Sequence, residues 1–267
     1  MIKTSTYEEV IRLSMGRDMD GSVLYWVSAY LVDGMLIDTG CKHTAEELYE
    51  YLKNLKLSKA VNTHYHEDHI GGNKIIQDKL NVNILAPPKS IPLINETPSL
   101  YPYQELVWGY PDQAEITPIE GDTIKTPRYT FEAIEAPGHS RDHIVLIEPG
   151  QGWCFSGDLF VSEKPKVIRP EEDIAEIIRS MKKLIELPYN FTMFPSVGGV
   201  VLNGKEAMSN CVEYLSDLHQ RSKQLAREGL TPPEIRDSIF GKESTLAMLT
   251  DGQFSSENLI KSLLTMN

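Results

Sequence analysis

Residues 63–72 read Thr63-His64-Tyr65-His66-Glu67-Asp68-His69-Ile70-Gly71-Gly72, which puts three imidazoles and the Asp68 carboxylate within six positions. Imidazole nitrogen and carboxylate oxygen together suit zinc, iron or manganese. In a sharp turn the i, i+2 pair His64 and His66 can point to one side and chelate one ion. Asp68 and His69 then fall on the following turn, near a second ion position. Gly71 and Gly72 let the backbone approach closely and turn into a helix. Of the seven histidines, His139 and His143 form a second cluster behind Pro137-Gly138, while His43 and His219 stand alone and read as ordinary polar residues.

Around this stretch the hydrophobic pattern alternates between strands and helices. Residues 22–32 read as a strand, and Asp33-Gly34 between apolar runs is a hairpin signal, with 35–37 as the return strand. Thr44 with Glu47 predicts a capping box opening a helix. Further strands are expected at 60–61, 82–86, 130–136, 144–147, 153–156 and 191–194, with helices at 73–80 and 174–185. Residues 87–118 carry seven prolines and the clustered aromatics Tyr101, Tyr103, Trp108 and Tyr110, so they read as a long irregular segment. Such a segment either covers a site or packs itself down. From Glu206 onward the period is helical, and Thr231-Pro232-Pro233-Glu234 marks another helix start. These shifts predict a mixed domain over 1–204 and a helical extension over 205–267.

Composition narrows the class. The 267 residues are 41% hydrophobic and 24% charged, an ordinary globular balance with a formal charge of −12. That charge argues against a general nucleic-acid or anionic-membrane binder. Three cysteines, Cys41, Cys154 and Cys211, form no disulfide framework. With no export signal and no run long enough to span a membrane, the expected location is cytoplasmic.

The stretch 63–72 resembles the signature of the metallo-β-lactamase superfamily, and other segments resemble that family in the same order. Leu36-Ile37-Asp38-Thr39-Gly40 is similar to its early strand pair with a buried Asp. Ala136-Pro137-Gly138-His139-Ser140 is similar to its third metal-histidine turn, and Phe155-Ser156-Gly157-Asp158 to its bridging-aspartate strand end. The resemblance implies an α+β fold, a four-layer αββα sandwich, here with a C-terminal helical appendage. It also implies that His64, His66 and His139 hold a first metal, that Asp68 and His69 hold a second, and that Asp158 bridges them. His143 and Asp38 match positions that orient ligands. The family's last metal histidine falls in a turn that here reads Pro195-Ser196-Val197-Gly198-Gly199. Valine cannot ligate, so one filled site or a labile second one is expected. His219 and Glu206 are conceivable substitutes that no spacing supports.

A metal-activated water makes a hydrolase the leading expectation, with Asp68 as the catalytic residue in either metal state. Zinc is the expected ion, one or two per chain, with iron and manganese also compatible. The expected substrate is a small ester, thioester or lactone. Two competing readings are a phosphodiesterase or ribonuclease, for which Lys164, Lys166 and Arg169 are the basic candidates, and a non-catalytic metal-binding scaffold. The apolar face of the helical tail fits a packing cap, a pocket wall or a homodimer surface.

Overall fold

Alternation along the strands decides which layer each side chain joins, and the computed structural model, which describes residues 1–96 and 99–266, carries it through two facing sheets. β1 (Ile2–Tyr7) and β2 (Val10–Met15) form a hairpin, followed by the small ribbon of β3 (Asp18–Met19) and β4 (Ser22–Val23). β5 (Val27–Val32) pairs with β2 and turns into β6 (Met35–Ile37). Asp33 and Gly34 hold φ at 47° and 79°, as a two-residue type I′ turn requires. α1 (Ala45–Leu52) crosses to β7 (Lys59–Val61), α2 (Glu67–Ile70) and α3 (Asn73–Leu80) lead to β8 (Asn83–Ala86), and α4 (Ile91–Asn95) and α5 (Pro102–Val107) lead to β9 (Ile116–Pro118). β6 to β9 run parallel, so the first sheet is half hairpin and half crossover, in the order β1-β2-β5-β6-β7-β8-β9.

The second sheet is an antiparallel meander of β10 (Thr123–Lys125), β11 (Thr130–Glu135), β12 (Ile144–Glu148) and β13 (Trp153–Gly157). α6 (Ile174–Ile185) then crosses over to β14 (Thr192–Pro195), parallel to β13. Four helices close the chain: α7 (Gly204–Arg227), α8 (Pro232–Phe240), α9 (Thr245–Leu249) and α10 (Ser256–Thr265). Among the described residues no helix is long and apolar enough to cross a membrane.

β12 shows the layering residue by residue. Ile144 and Leu146 face the first sheet and pack with Tyr30, Val61, Phe131, Phe155 and Phe194. Val145 and Ile147 face the other way, into the core shared with α6 and the tail helices. A strand buried on both faces reads as a continuous apolar run, and that is how Ile144-Val145-Leu146-Ile147 reads. On the far side of the first sheet Leu48 and Leu52 of α1 and Ile76 of α3 cover Leu36, Ala60 and Ile84. The result is the four-layer αββα sandwich of an α+β protein. Met208, Cys211, Leu215 and Leu218 of α7, with Leu259 and Leu263 of α10, complete the outer layer over the second sheet. The Thr231 to Glu234 capping box forms, with Thr231 N donating to Glu234 Oε2 at 2.8 Å.

Several local expectations are corrected. The strand expected over 22–32 is broken, because Leu24-Tyr25-Trp26 leave the sheet between β4 and β5. Thr44 does not cap through its hydroxyl, which instead donates to Cys41 O at 3.0 Å within a 3-10 turn that precedes α1. The segment 87–118 contains α4, α5 and β9; the capping residues Tyr101 and Gln104 set the start of α5. Its Thr97 and Pro98 lie outside the described residues.

Gly71 lets the loop after β6 close onto α2. A Cβ there would lie 2.2 Å from Lys42 N and 2.4 Å from the Cys41 carbonyl carbon, both backbone atoms. Gly71→Ala is therefore expected to cost about 1–3 kcal/mol as overpacking. The thermal midpoint should fall by roughly 2–4 °C per kcal/mol, and an unchanged midpoint would contradict the tight approach.

Candidate metal centre

The histidine and carboxylate side chains meet where the strands of both sheets end. His64, His66, Asp68 and His69 follow β7 on a loop that becomes α2, His139 sits between β11 and β12, and Asp158 follows β13. All six are buried. Asp38, just past β6 with φ of 60°, pins this loop from below. It accepts from Thr63 N at 2.8 Å, from Thr63 Oγ1 at 2.9 Å and from His69 Nδ1 at 2.7 Å.

These partners fix which ring nitrogens are bare. The single Thr63 hydroxyl proton goes to Asp38, so its oxygen must accept from His64 Nδ1, 2.9 Å away. His64 Nε2 then carries a lone pair. His139 Nδ1 faces Glu172 Oε2 at 3.1 Å, which leaves His139 Nε2 bare as well. Both bare atoms converge on His66 Nδ1, at 3.0 and 2.9 Å. One proton on His66 could satisfy only one of them, so the triangle of nitrogens is complementary to a cation.

A second group adjoins it. His69 donates through Nδ1 to Asp38, and its Nε2, which has no hydrogen-bond partner, faces Asp68 Oδ2 at 3.8 Å and Asp158 Oδ2 at 3.6 Å. Asp158 Oδ2 also lies 3.5 Å from His139 Nε2, so it stands between the two groups. The donor atoms of His64, His66 and His139 lie within 4.8 Å of one another, as do those of His64, His69 and Asp158. Asp68 Oδ1, His69 Nε2, His66 Nε2 and Asp158 Oδ1 are buried without a hydrogen-bond partner. Orphaned buried atoms of this kind are costly, and a divalent ion answers the cost at Asp68, His69 and Asp158. The residues present therefore fit a metal.

The electrostatics agree. Burial, then the neighbouring imidazoles, holds His64 well below the ordinary imidazole value, and burial and Arg169 do the same for His66. Burial also lowers His69, but Asp38, Asp68 and Asp158 outweigh it and hold that ring well above. Burial pushes the Asp68 carboxyl up to about 6 against the pull of His69. Burial opposes ionisation of Asp158 too, yet His69 and His139 keep it below the usual carboxylate range. The two carboxylates, a few ångströms from the same imidazole, are thus pushed apart. His143 Nε2 accepts from Asp158 N at 3.1 Å and so steadies the end of β13 rather than facing the nitrogen triangle.

Loss of the Asp38 anchor tests this support. Asp38→Asn is expected to weaken metal affinity 10- to 100-fold, the order found for outer-shell partners. Competition against a chromogenic chelator reads it, and equal affinity in both proteins would show that Asp38 serves only the fold.

The turn after β14 is present but brings no ligand. Ser196 N donates to Gly157 O at 3.0 Å and Ser196 O accepts from Ser28 N at 2.7 Å, so Val197 leaves from beside the Asp158 strand end without a lone pair to offer. Neither substitute reaches the centre: His219 Nδ1 donates to Leu263 O at 2.8 Å and Glu206 pairs with Asn203. His43 is also elsewhere, with Nε2 on Glu105 O at 2.9 Å.

Arg169 corrects the basic-track expectation. It is only 5% exposed, with its guanidinium 5.6 Å from the Trp108 ring and 5.1 Å from the Phe254 ring. Glu67 Oε1 lies 3.5 Å from it and also accepts from Gln104 Nε2 at 2.7 Å. Glu172 accepts from Arg169 N at 2.8 Å while holding His139. Lys166 lines a separate depression with Tyr214 and Arg221. Arg169 and Lys166 thus line different depressions and form no common track.

The aromatic segment does reach the centre. Trp108 is buried edge-on against Tyr25, with ring centroids 5.4 Å apart, and both line a cavity of about 150 Å³ that contains Asp68, His139 and Asp158 in its wall. A wider groove of about 380 Å³ passes His66, Glu67 and Arg169 on the other side. Sequence reading missed Tyr25, Glu67, Glu172 and Phe254. Glu67 lay in plain view inside the histidine motif, but its partners are distant in the chain.

Residues 27–195 match the family model described as the metallo-beta-lactamase superfamily. Hydroxyacylglutathione hydrolase GloC of Haemophilus influenzae is 28% identical over 184 residues, which cover 66% of this chain and 84% of that protein. Thioesterase pkgB of Emericella nidulans is 26% identical over 195 residues, 72% of this chain and 49% of that protein. Among solved structures, a metallo-beta-lactamase from Pontibacter korlensis superposes with a TM-score of 0.62 at 22% identity, over 81% of this chain and 100% of that one. That last likeness concerns the fold.

Proposed function

The chain belongs to the metallo-β-lactamase superfamily and is a metal-dependent hydrolase, and on that premise we propose that it cleaves a small ester, thioester or lactone with zinc at the histidine cluster. The observation that carries this reading is the triangle of bare nitrogens on His64, His66 and His139 beside the unpartnered Asp68 oxygen, with His139 and Asp68 in the wall of one cavity. We assign those three histidines to a first ion, and Asp68, His69 and the bridging Asp158 to a second, weaker one. When bound, such an ion supplies Lewis acidity, which acidifies a water and polarises a carbonyl.

The chain's own residues do the rest. Asp68 Oδ1 orients the attacking water and takes its proton, a task suited to a carboxyl whose pKa is raised toward neutrality. Glu172 holds His139, Asp38 holds His69, and His143 holds the Asp158 backbone. Trp108 and Tyr25 narrow the approach and keep bulk water from the reacting atoms. Thioesters are favoured within the class by the thioesterase and the hydroxyacylglutathione hydrolase among the relatives. A polyanionic substrate fits poorly with Arg169 buried against Glu67 and with the groove walled by Glu67, Asp112 and Glu171. A cytoplasmic location is part of the proposal and draws on three buried free cysteines.

The test is turnover of acetyl and longer acyl thioesters, aryl esters, lactones and bis(p-nitrophenyl) phosphate by protein stripped and reloaded with zinc. Cleavage of acyl substrates is expected, lost on chelation and regained with zinc, with one tightly held equivalent per chain by elemental analysis. Absence of turnover by the zinc-loaded protein would leave a metal-binding scaffold instead.

A further inference from the structure

The cavity beside the cluster has two unlike ends. Its mouth carries Asp68, His139 and Asp158, while its interior is walled by Leu159, Ile168, Ile177, Met181, Cys211 and Leu215. Cys211 behaves there as a small apolar residue, since burial pushes its thiol up to about 12. The inner wall therefore offers a ligand no charge and almost no hydrogen bond. Cys211 and Leu215 are one turn apart on α7, and Leu246 and Phe254 complete the rim, so the tail helices build much of the enclosure. Arg169 stands at the boundary between this cavity and the open groove.

Resting on the hydrolase reading above, we propose that this cavity is the acyl pocket and that it selects a compact apolar acyl group of about six carbons, straight or aromatic. An apolar-lined space near 150 Å³ has the volume of a benzene-sized guest. The apolar part of the wall suits the acyl chain, whose carbonyl then lies among the carboxylates. The larger groove sets Glu67, Gln104, Asp112 and Gln113 beside Arg169 among apolar residues such as Ile70 and Leu93, so it offers the polar partners the cavity lacks, and it takes the leaving group. In the reaction the water oxygen bonds to the carbonyl carbon and the carbon–sulfur bond breaks. The acid and the thiol leave, and the thiol carries away one of the water's protons.

The experiment uses zinc-loaded full-length protein and N-acetylcysteamine thioesters of acetate, hexanoate, benzoate and dodecanoate. Each buried methylene adds a several-fold preference, so kcat/KM for hexanoyl should exceed that for acetyl by about tenfold to a hundredfold. Benzoyl should follow hexanoyl, and dodecanoyl should fall below both. Leu215→Phe, which fills the interior, should lower the hexanoyl-to-acetyl ratio at least tenfold. If that variant does not fold, Leu246→Trp at the exposed rim replaces it. Benzene binding by ligand-observed NMR provides a readout free of turnover and should be lost in the same variant. Turnover with a flat or acetyl-favouring profile would overturn the pocket assignment and leave the hydrolase reading standing. No turnover of any thioester, nor of the aryl esters and lactones, would overturn the hydrolase reading instead. Benzene would then decide the pocket alone: binding abolished by the variant sustains it as an apolar ligand site, and no binding overturns it.

Discussion

Asp68→Asn is expected to lower kcat on a thioester or ester by about a hundredfold to ten-thousandfold, the usual span for loss of a positioned proton acceptor. The substitution keeps the shape of a side chain that is fully enclosed and has one oxygen without any partner. It removes the capacity to accept a proton, while the His64, His66 and His139 nitrogens that converge on one point stay in place. Metal content should therefore remain near one equivalent and KM should change little. Parallel measurement of bound zinc and of kcat separates this from a role in ligation alone. If kcat is within a few-fold of the parent while bound metal falls, Asp68 is a ligand and not the proton acceptor.

Arg169→Met should produce the largest loss of stability among surface-remote substitutions. It deletes the cation paired with Glu67 and leaves that carboxylate only 5% exposed, with Gln104 as its remaining partner. Breaking a buried pair from one side costs about 3–5 kcal/mol. For a chain of this size that corresponds to roughly 6–20 °C in the thermal midpoint. Methionine preserves much of the contact with Trp108 and Phe254, so the loss reports on charge more than on packing. Adding Glu67→Gln should recover part of the midpoint, because no bare charge then stays buried. A double variant no more stable than Arg169→Met alone would mean that the guanidinium matters for the aromatic stack and not for Glu67.

What could be read from sequence followed from the range of the interactions involved. α3 and α6 were legible to the residue, since their apolar faces repeat within a dozen positions. The grouping of the candidate ligands was legible because four of them fall within six residues, and His139 and Asp158 follow strand ends of distinct pattern. β1 was not, because Lys3, Thr4, Ser5 and Thr6 sit on an exposed edge strand and carry no alternation. The short β10 offered only Ile124 as an inward residue. Arg169 read as one of three surface cations because nothing near it in the chain announces Glu67, Trp108 or Phe254. Tyr25 was hidden inside an apparent strand from which it departs. Long-range partners leave no local period, and they are what turn a set of ligands into a pocket.

The order in which the walls of the centre come off the ribosome follows from where they lie in the chain. Every side chain assigned to the metal lies before residue 159, and the first sheet already has its own covering helices by then. The outer face of the second sheet has only α6 over it until α7 and α10 have been made, and the cavity wall is incomplete until Leu246 and Phe254 arrive. At about 5–20 residues per second, that interval lasts several seconds. The candidate ligand side chains are thus all synthesised before the helices that complete the cavity wall.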